Sequence, residues 1–263
     1  CGPGMGSVSQ IGWHWYSRLV ERTPTTLVTH TRNAAALADA GVDLDGPDVI
    51  LIDTEWFAGP LYRGASRIFP RSEHSVFLVS SLDYYVYDNC AVRVLRRLMR
   101  EGHARWDIAH QVTPVSPQAA TRLHRLGLPT VLGPWNGGLP TAPGFESIMQ
   151  GESTWLYPIR NLGRLFDAAA GATRHASAIL TANETTRQSL PARARTRCVS
   201  MLENSVDLDV FHPAPWPGAP DPDPDEGRPL RIAFVGRLLP FKGLPMLLEA
   251  MVKAKDAGPM VLD

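Results

Sequence analysis

Short apolar runs alternate along this chain with longer stretches in which apolar residues recur at helical spacing. That alternation is the grammar of βα units around a mainly parallel sheet. The runs predict strands at Thr26–Thr31, Val49–Asp53, Val76–Ser80, Asp107–Val112, Thr130–Gly133, Ala178–Ala182 and Val199–Glu203. Between them, Tyr85–Glu101 places Val92, Leu95, Leu98 and Met99 at helical spacing with arginines interleaved, which predicts a surface helix. Trp13–Arg22, Pro117–Leu126 and Asn161–His175 are read as further helices, and Asn183 as the N-cap of another.

Pro213–Pro229 reads PAPWPGAPDPDPDEGRP. Proline at that density breaks both helix and ladder, and the acidic residues keep the stretch solvated, so it is read as a linker. The βα pattern then restarts, with a strand at Leu230–Val235, a loop at Gly236–Gly243, a helix at Leu244–Ala257 and a strand at Met260–Leu262. Pro245 suits the first turn of that helix. The expected fold class is therefore α/β, with a Rossmann-like parallel-sheet domain over residues 1–212, the linker over 213–229, and the start of a second Rossmann-like domain over 230–263. The chain opens on Cys1 in a glycine-rich stretch and stops where an apolar strand begins. It is read as a piece cut at both ends, with the first strand of its first domain missing.

Composition adds exclusions. Lys plus Arg and Asp plus Glu both number 26, so the formal net charge is zero. A dedicated nucleic-acid binder carries a clear basic excess, and none is expected as a partner. No apolar run approaches the roughly 18 residues needed to cross a bilayer. Three scattered cysteines, Cys1, Cys90 and Cys198, form no C-x-x-C pair, which points to reduced thiols and a cytoplasmic location.

Three segments carry candidate chemistry. Gly2-Pro-Gly-Met-Gly-Ser-Val-Ser-Gln-Ile-Gly12 precedes a helix, and small residues before a helix N-terminus suit a phosphate. The spacing is neither G-x-G-x-x-G nor a Walker loop, so an ordinary tight turn stands beside that reading. In Phe234–Gly243, Arg237 and Lys242 sit on a loop that opens a helix. They read as a diphosphate clamp, Arg by its fork and Lys as a point charge, or as two solvated cations. Finally, Asp107–Thr113 and Val131–Gly138 place His110, Thr113, Trp135 and Asn136 at the carboxyl ends of strands, where open α/β sheets bind ligands. His110 fits a catalytic or a hydrogen-bonded structural role equally.

The D-x-D triplets Asp43/Asp45, Asp207/Asp209 and Asp221–Asp225 lie in loops, so no metal site is expected. Trp13, Trp15 and Trp56 are read as buried packing rather than sugar-stacking faces. Arg93, Arg96, Arg97 and Arg100 read as a solvated helix face, with peripheral attachment to the inner membrane face left open.

Together these segments resemble retaining GT-B glycosyltransferases of family 4. Phe234–Gly243 with Leu247–Met251 resembles the family's F-V-G-R-L-x-x-x-K-G…L-L-x-A signature, and Leu202–Pro213 its N-G-V-D-x-x-x-F-x-P hinge. Cys1–Trp15, Asp107–His110 and Gly133–Gly138 resemble the matching parts of one subgroup, so the resemblance spans essentially the whole chain in order. It implies two Rossmann-like domains, the first binding a glycan, lipid-linked or small-molecule acceptor and the second a nucleotide-sugar donor. It also implies metal-independent transfer of a glycosyl group with retention, and no cofactor.

By position, Gly4, Gly6, Ser7, Arg237 and Lys242 would meet the donor diphosphate, with Arg237, Lys242, His110 and Asn136 the expected catalytic residues. Ser205 stands for the hinge glycine, and Asn136 lies where many members carry His-Gly. The family's E-x7-E element has no counterpart before Asp263, Glu249 being too early, so the chain by itself is expected to be inactive. A non-catalytic α/β module or split-gene partner subunit with half a cleft is the alternative. A sugar-nucleotide epimerase of similar build accounts less well for the hinge followed by the Arg237–Lys242 loop.

Overall fold

The computed structural model describes residues 7–70, 73–137, 167, 169–206, 208–209, 211–213, 229–236, 238 and 242–263. They fall into two compact units, one up to residue 205 and one from residue 206 onward. Both are mixed α/β with parallel sheets, compatible with the Rossmann-like class.

The first unit opens with helix α1 (Ser7–Val20). Strand β1 (Leu27–His30) follows, then a single 3-10 turn and helix α2 (Ala34–Asp39). Strand β2 (Val49–Ile52) pairs with β1 in parallel, Leu27 opposite Val49 and His30 opposite Ile52. Helices α3 (Glu55–Ile68), α4 (Glu73–Ser80) and α5 (Asp83–Arg100) come next. Helix α4 corrects the strand expected at Val76–Ser80. A four-residue apolar run, Val76–Val79, carries no period of its own, and packing of the segment against α3 selects the helix.

Helix α5 forms where its pattern predicts. Asp88, Ala91, Val92 and Leu95 are buried on one stripe, while Arg93, Arg96, Arg97 and Arg100 are exposed opposite. Asp83 in the first turn and Arg97 and Arg100 in the last complement the helix dipole. Buried Asp88 accepts from the Thr121 hydroxyl and, at 2.9 Å, from the Arg122 amide. Burial raises its pKa even so, against those two hydrogen bonds. Thr121 also accepts from Leu123 N, and only Leu123–Leu126 winds, as 3-10. The helix expected over Pro117–Leu126 is thus corrected: side-chain hydrogen bonds hold most of that segment irregular.

The main sheet runs β3 (Ala109–Gln111), β4 (Thr130–Trp135), β5 (Ala178–Thr181) and β6 (Cys198–Ser200), in that order and all parallel. Short helices α6 (Ala172–His175), α7 (Glu184–Ser189) and α8 (Ala192–Arg195) flank β5. Leu132, Trp135 and Ile179 are fully buried and pack with Ala172, Ala176, Leu190 and Ala194 as the core. Strand β4 outruns its expected end at Gly133. The β4–β5 register shifts between Leu132 and Trp135, which lets a strand carrying Gly133-Pro134 continue. Residues 161–166 and 168 of the expected Asn161–His175 helix lie outside the described residues, and Gly171, at φ +76°, interrupts the remainder ahead of α6, which corrects the single helix expected there. Nearly all of the 213–229 linker also lies outside the described residues.

In the second unit β7 (Leu230–Ile232) pairs in parallel with β8 (Met260–Leu262), and α9 (Leu244–Lys253) connects them. Gly243, at φ +84°, precedes α9, and Pro245 lies in its first turn. None of this unit's described residues is buried; Val235, Leu238 and Val252 are among its exposed apolar side chains.

Candidate functional site at the carboxyl edge of the main sheet

The carboxyl ends of β3 to β6 bring polar side chains together in the first unit. His110 lies on β3, Asn136 directly follows β4, Asn183 caps α7 after β5, and Glu203 lies three residues past β6. In parallel sheets this edge is open because each strand leaves there into a loop rather than a ladder.

Asn136 is the hub. Its Nδ2 donates to Glu203 Oε1 at 2.6 Å, and its Oδ1 accepts from Asn183 Nδ2 at 2.9 Å. The backbone N–H of Asn136 donates to Val115 O at 2.9 Å, tying β4 to the loop after β3. Asn183 Oδ1 meanwhile accepts from Thr186 N at 2.8 Å, the N-cap bond its sequence position predicts. Thr186 closes the ring by donating to Gly137 O at 2.9 Å. Both ends of the Asn136 amide are therefore engaged, so it holds its neighbours in place.

Glu203 is the group this network leaves with capacity. Asn204 Nδ2 adds a longer bond to Oε1, at 3.3 Å, whereas Oε2 is buried and has no partner among the described residues. An unpaired buried carboxylate oxygen is costly, and a ligand hydroxyl or N–H would satisfy it. Glu203 and Asn183 were not among the expected site residues. The signal for them was present, since Asn183 follows one predicted strand and Glu203 ends another at the same edge as His110 and Asn136.

His110 donates from Nε2 to Gly133 O at 2.7 Å, leaving Nδ1 as the acceptor of the neutral ring. Trp15 of α1 meets the ring edge-on, centroids 5.3 Å apart. Burial lowers the His110 pKa, partly offset by the Gly133 carbonyl. Trp135 does not line the crevice: it is fully buried in the core, which corrects its expected place. Trp56 is exposed, against the packing role expected of it, while Trp13 and Trp15 are half-buried.

The remaining expected residues are distributed as follows. Gly4, Gly6 and Arg237 lie outside the described residues, and Ser7 opens α1. Lys242 is exposed in the second unit, immediately before Gly243 and α9. Among the described residues, no three His, Cys, Asp or Glu side chains gather as metal ligands, and no helix is long and apolar enough to cross a membrane. Cys90 and Cys198 are free thiols.

Three histidines make stability depend on pH. Burial is the main cause lowering His30, His110 and His124; Arg32 adds to it at His30 against Glu55, Asp83 and Asp53, and stacked His175 with Arg125 and Arg122 adds to it at His124. The unfolded chain thus binds more protons than the folded one between each lowered value and the ordinary histidine value. Stability is full above that window and lost as pH falls through it. Urea midpoints should be lower at about pH 5.5 than at about pH 7.5. His110→Gln, which keeps an N–H toward Gly133 O, should reduce the difference. Equal midpoints at both pH values would contradict the lowered pKa of these rings.

The chain matches no protein-family model, no curated protein and no solved structure.

Proposed function

We propose that this chain belongs to a retaining, metal-independent glycosyltransferase of GT-B type that takes a nucleotide-sugar as donor. The observation that carries the reading is the Phe234–Gly243 sequence, with Lys242 exposed immediately ahead of the ten-residue helix α9. A cation at a helix N-terminus, in a loop that leaves a parallel strand, suits a diphosphate. Departure of a nucleoside diphosphate from an anomeric carbon develops negative charge on the leaving oxygen. Fixed cations there act on the transition state more than on the ground state.

The polar edge of the first unit supports the acceptor side of the reading. Glu203 Oε2 can accept from an acceptor hydroxyl, Asn136 fixes Glu203, and His110 presents Nδ1 as a neutral acceptor. The test is turnover by the natural gene product, offered UDP-, GDP- and ADP-sugars with simple glycosides in EDTA. Release of nucleoside diphosphate and a product of unchanged anomeric configuration, read by proton NMR, are expected. Inverted product, or no release from any donor, would overturn the proposal.

A further inference from the structure

At the carboxyl ends of β1 and β2 a buried histidine and an arginine converge on one carboxylate. His30 ends β1 and caps the 3-10 turn Thr31–Asn33, while Glu55 opens α3 after β2. Each ring nitrogen of His30 faces a backbone N–H. Nδ1 accepts from Arg32 N at 3.1 Å, and Nε2 lies 3.3 Å from Thr54 N and 2.9 Å from Thr54 Oγ1. The neutral ring suits these partners with Nδ1 bare and Nε2–H donating to the Thr54 hydroxyl. The imidazolium does not, because its second proton, on Nδ1, points at the Arg32 N–H.

The Arg32 side chain ties the same turn to two helices. Its Nε donates to Glu55 Oε1 at 3.1 Å, and Nη2 lies 2.9 Å from that oxygen and 3.1 Å from Asp83 Oδ2 in the first turn of α5. His30 Nε2 stands only 3.9 Å from Glu55 Oε1, so a cationic ring would compete with Arg32 for one oxygen. Burial first, and then Arg32, lower the His30 pKa, whereas Glu55, Asp83 and Asp53 raise it. Tyr87 of α5 packs its ring 5.9 Å from His30; burial raises its pKa, so it stays neutral.

We propose that His30 is an acid-operated latch: its protonation passes Glu55 from Arg32 to His30 and releases Arg32 from α3 and α5. The incoming proton sits on Nδ1 and displaces the Arg32 amide, so the turn loses its N-cap bond. Glu55 is half-exposed, and a side-chain rotation closes its distance to the ring. The two events reinforce each other. Departure of Arg32 removes a cation beside the ring, and the charged ring draws off the carboxylate that held Arg32. Asn33 keeps the far end of the turn in place, its Nδ2 donating to buried Thr29 Oγ1 at 2.8 Å, so the change stays local. Arg32 also lines the depression it shares with Tyr62, Ser80 and Asp83, which the exchange therefore reshapes. The latch stands without the transferase reading, because it needs only these residues.

The test is an amide NMR titration of the purified chain from about pH 8 to about pH 5. It reads the His30 ring, the Arg32 amide and Nε–H, and the Ile179 amide as a core reference. The Arg32 signals should move with the His30 midpoint, below the ordinary histidine value, while Ile179 stays still. Exchange protection of the Arg32 amide should fall about tenfold across that midpoint. His30→Asn keeps an acceptor for Arg32 N but cannot titrate, so the Arg32 signals should stay flat. Glu55→Gln, at a half-exposed position, serves if His30→Asn disturbs the fold. Losing that carboxylate should move the His30 and Arg32 midpoints together to lower pH. Arg32 signals that ignore the His30 midpoint, still titrate in His30→Asn, or keep their midpoint in Glu55→Gln would each overturn the latch. So would loss of the Ile179 signal at the same midpoint, which would make the event global unfolding.

Discussion

Gly133→Ala is expected to be the most damaging single-methyl change in the first unit, costing about 4 kcal/mol or more. Gly133 has φ +96°, a region that residues with a Cβ rarely adopt. A Cβ built there collides with the Leu180 carbonyl oxygen of the neighbouring strand and comes within 2.7 Å of Trp135 N. Both obstacles are backbone in the middle of the core sheet, so neither yields by a side-chain rotation. Relief must come from parting β4 and β5, which flank fully buried Leu132, Trp135 and Ile179. The same shift would move Gly133 O from His110 and carry Asn136 off Glu203, so the candidate site would fail with the sheet.

Gly127→Ala is the control. Gly127 also has positive φ, +78°, but nothing lies within 4 Å of its added Cβ, so only backbone strain of about 1 kcal/mol is expected. Urea unfolding of the two variants separates collision from strain. A Gly133→Ala midpoint no lower than that of Gly127→Ala would mean that β4 and β5 do not approach this closely.

Gly133 also shows where sequence reading reached its limit. A Gly-Pro pair punctuates a chain as a turn does, so the expected strand stopped there, whereas β4 runs on to Trp135 by shifting register against β5. Helix α5, 18 residues long, was legible because Val92, Leu95, Leu98 and Met99 keep helical spacing along it. Helix α4 was not: its eight residues include a β-branched apolar run, and contact with α3 decides its state. Asn183 was legible as a cap, since capping is local chemistry. Its bond to Asn136, 47 residues away, was not. Glu203 stood in plain sight at the end of a predicted strand. What picks it out is the burial of one oxygen, which depends on the packed fold and not on spacing. The Arg32, Glu55 and Asp83 cluster spans 51 residues and carries no motif; the parallel placement of β1 and β2 together with the start of α5 assembles it.

On the proposed transferase reading, Lys242→Ala and Arg237→Ala, made in the natural gene product, are each expected to lower nucleotide-sugar turnover about a hundredfold, on the order of 3 kcal/mol for a contact to a developing oxyanion. The loss should fall on kcat more than on KM, because such contacts strengthen as the diphosphate departs. The two substitutions should differ on conservative repair. Lys242→Arg keeps the charge and should recover part of the rate, since lysine meets phosphate as a point charge. Arg237→Lys should recover less, since a bidentate fork is lost. For Lys242→Ala folding is not the confounder: Lys242 is exposed, and Gly243, which precedes α9, is untouched. Near-normal rates in both alanine variants would remove the diphosphate assignment, and with it the main support for a transferase. Loss confined to KM would keep the donor site and assign the cations to ground-state binding.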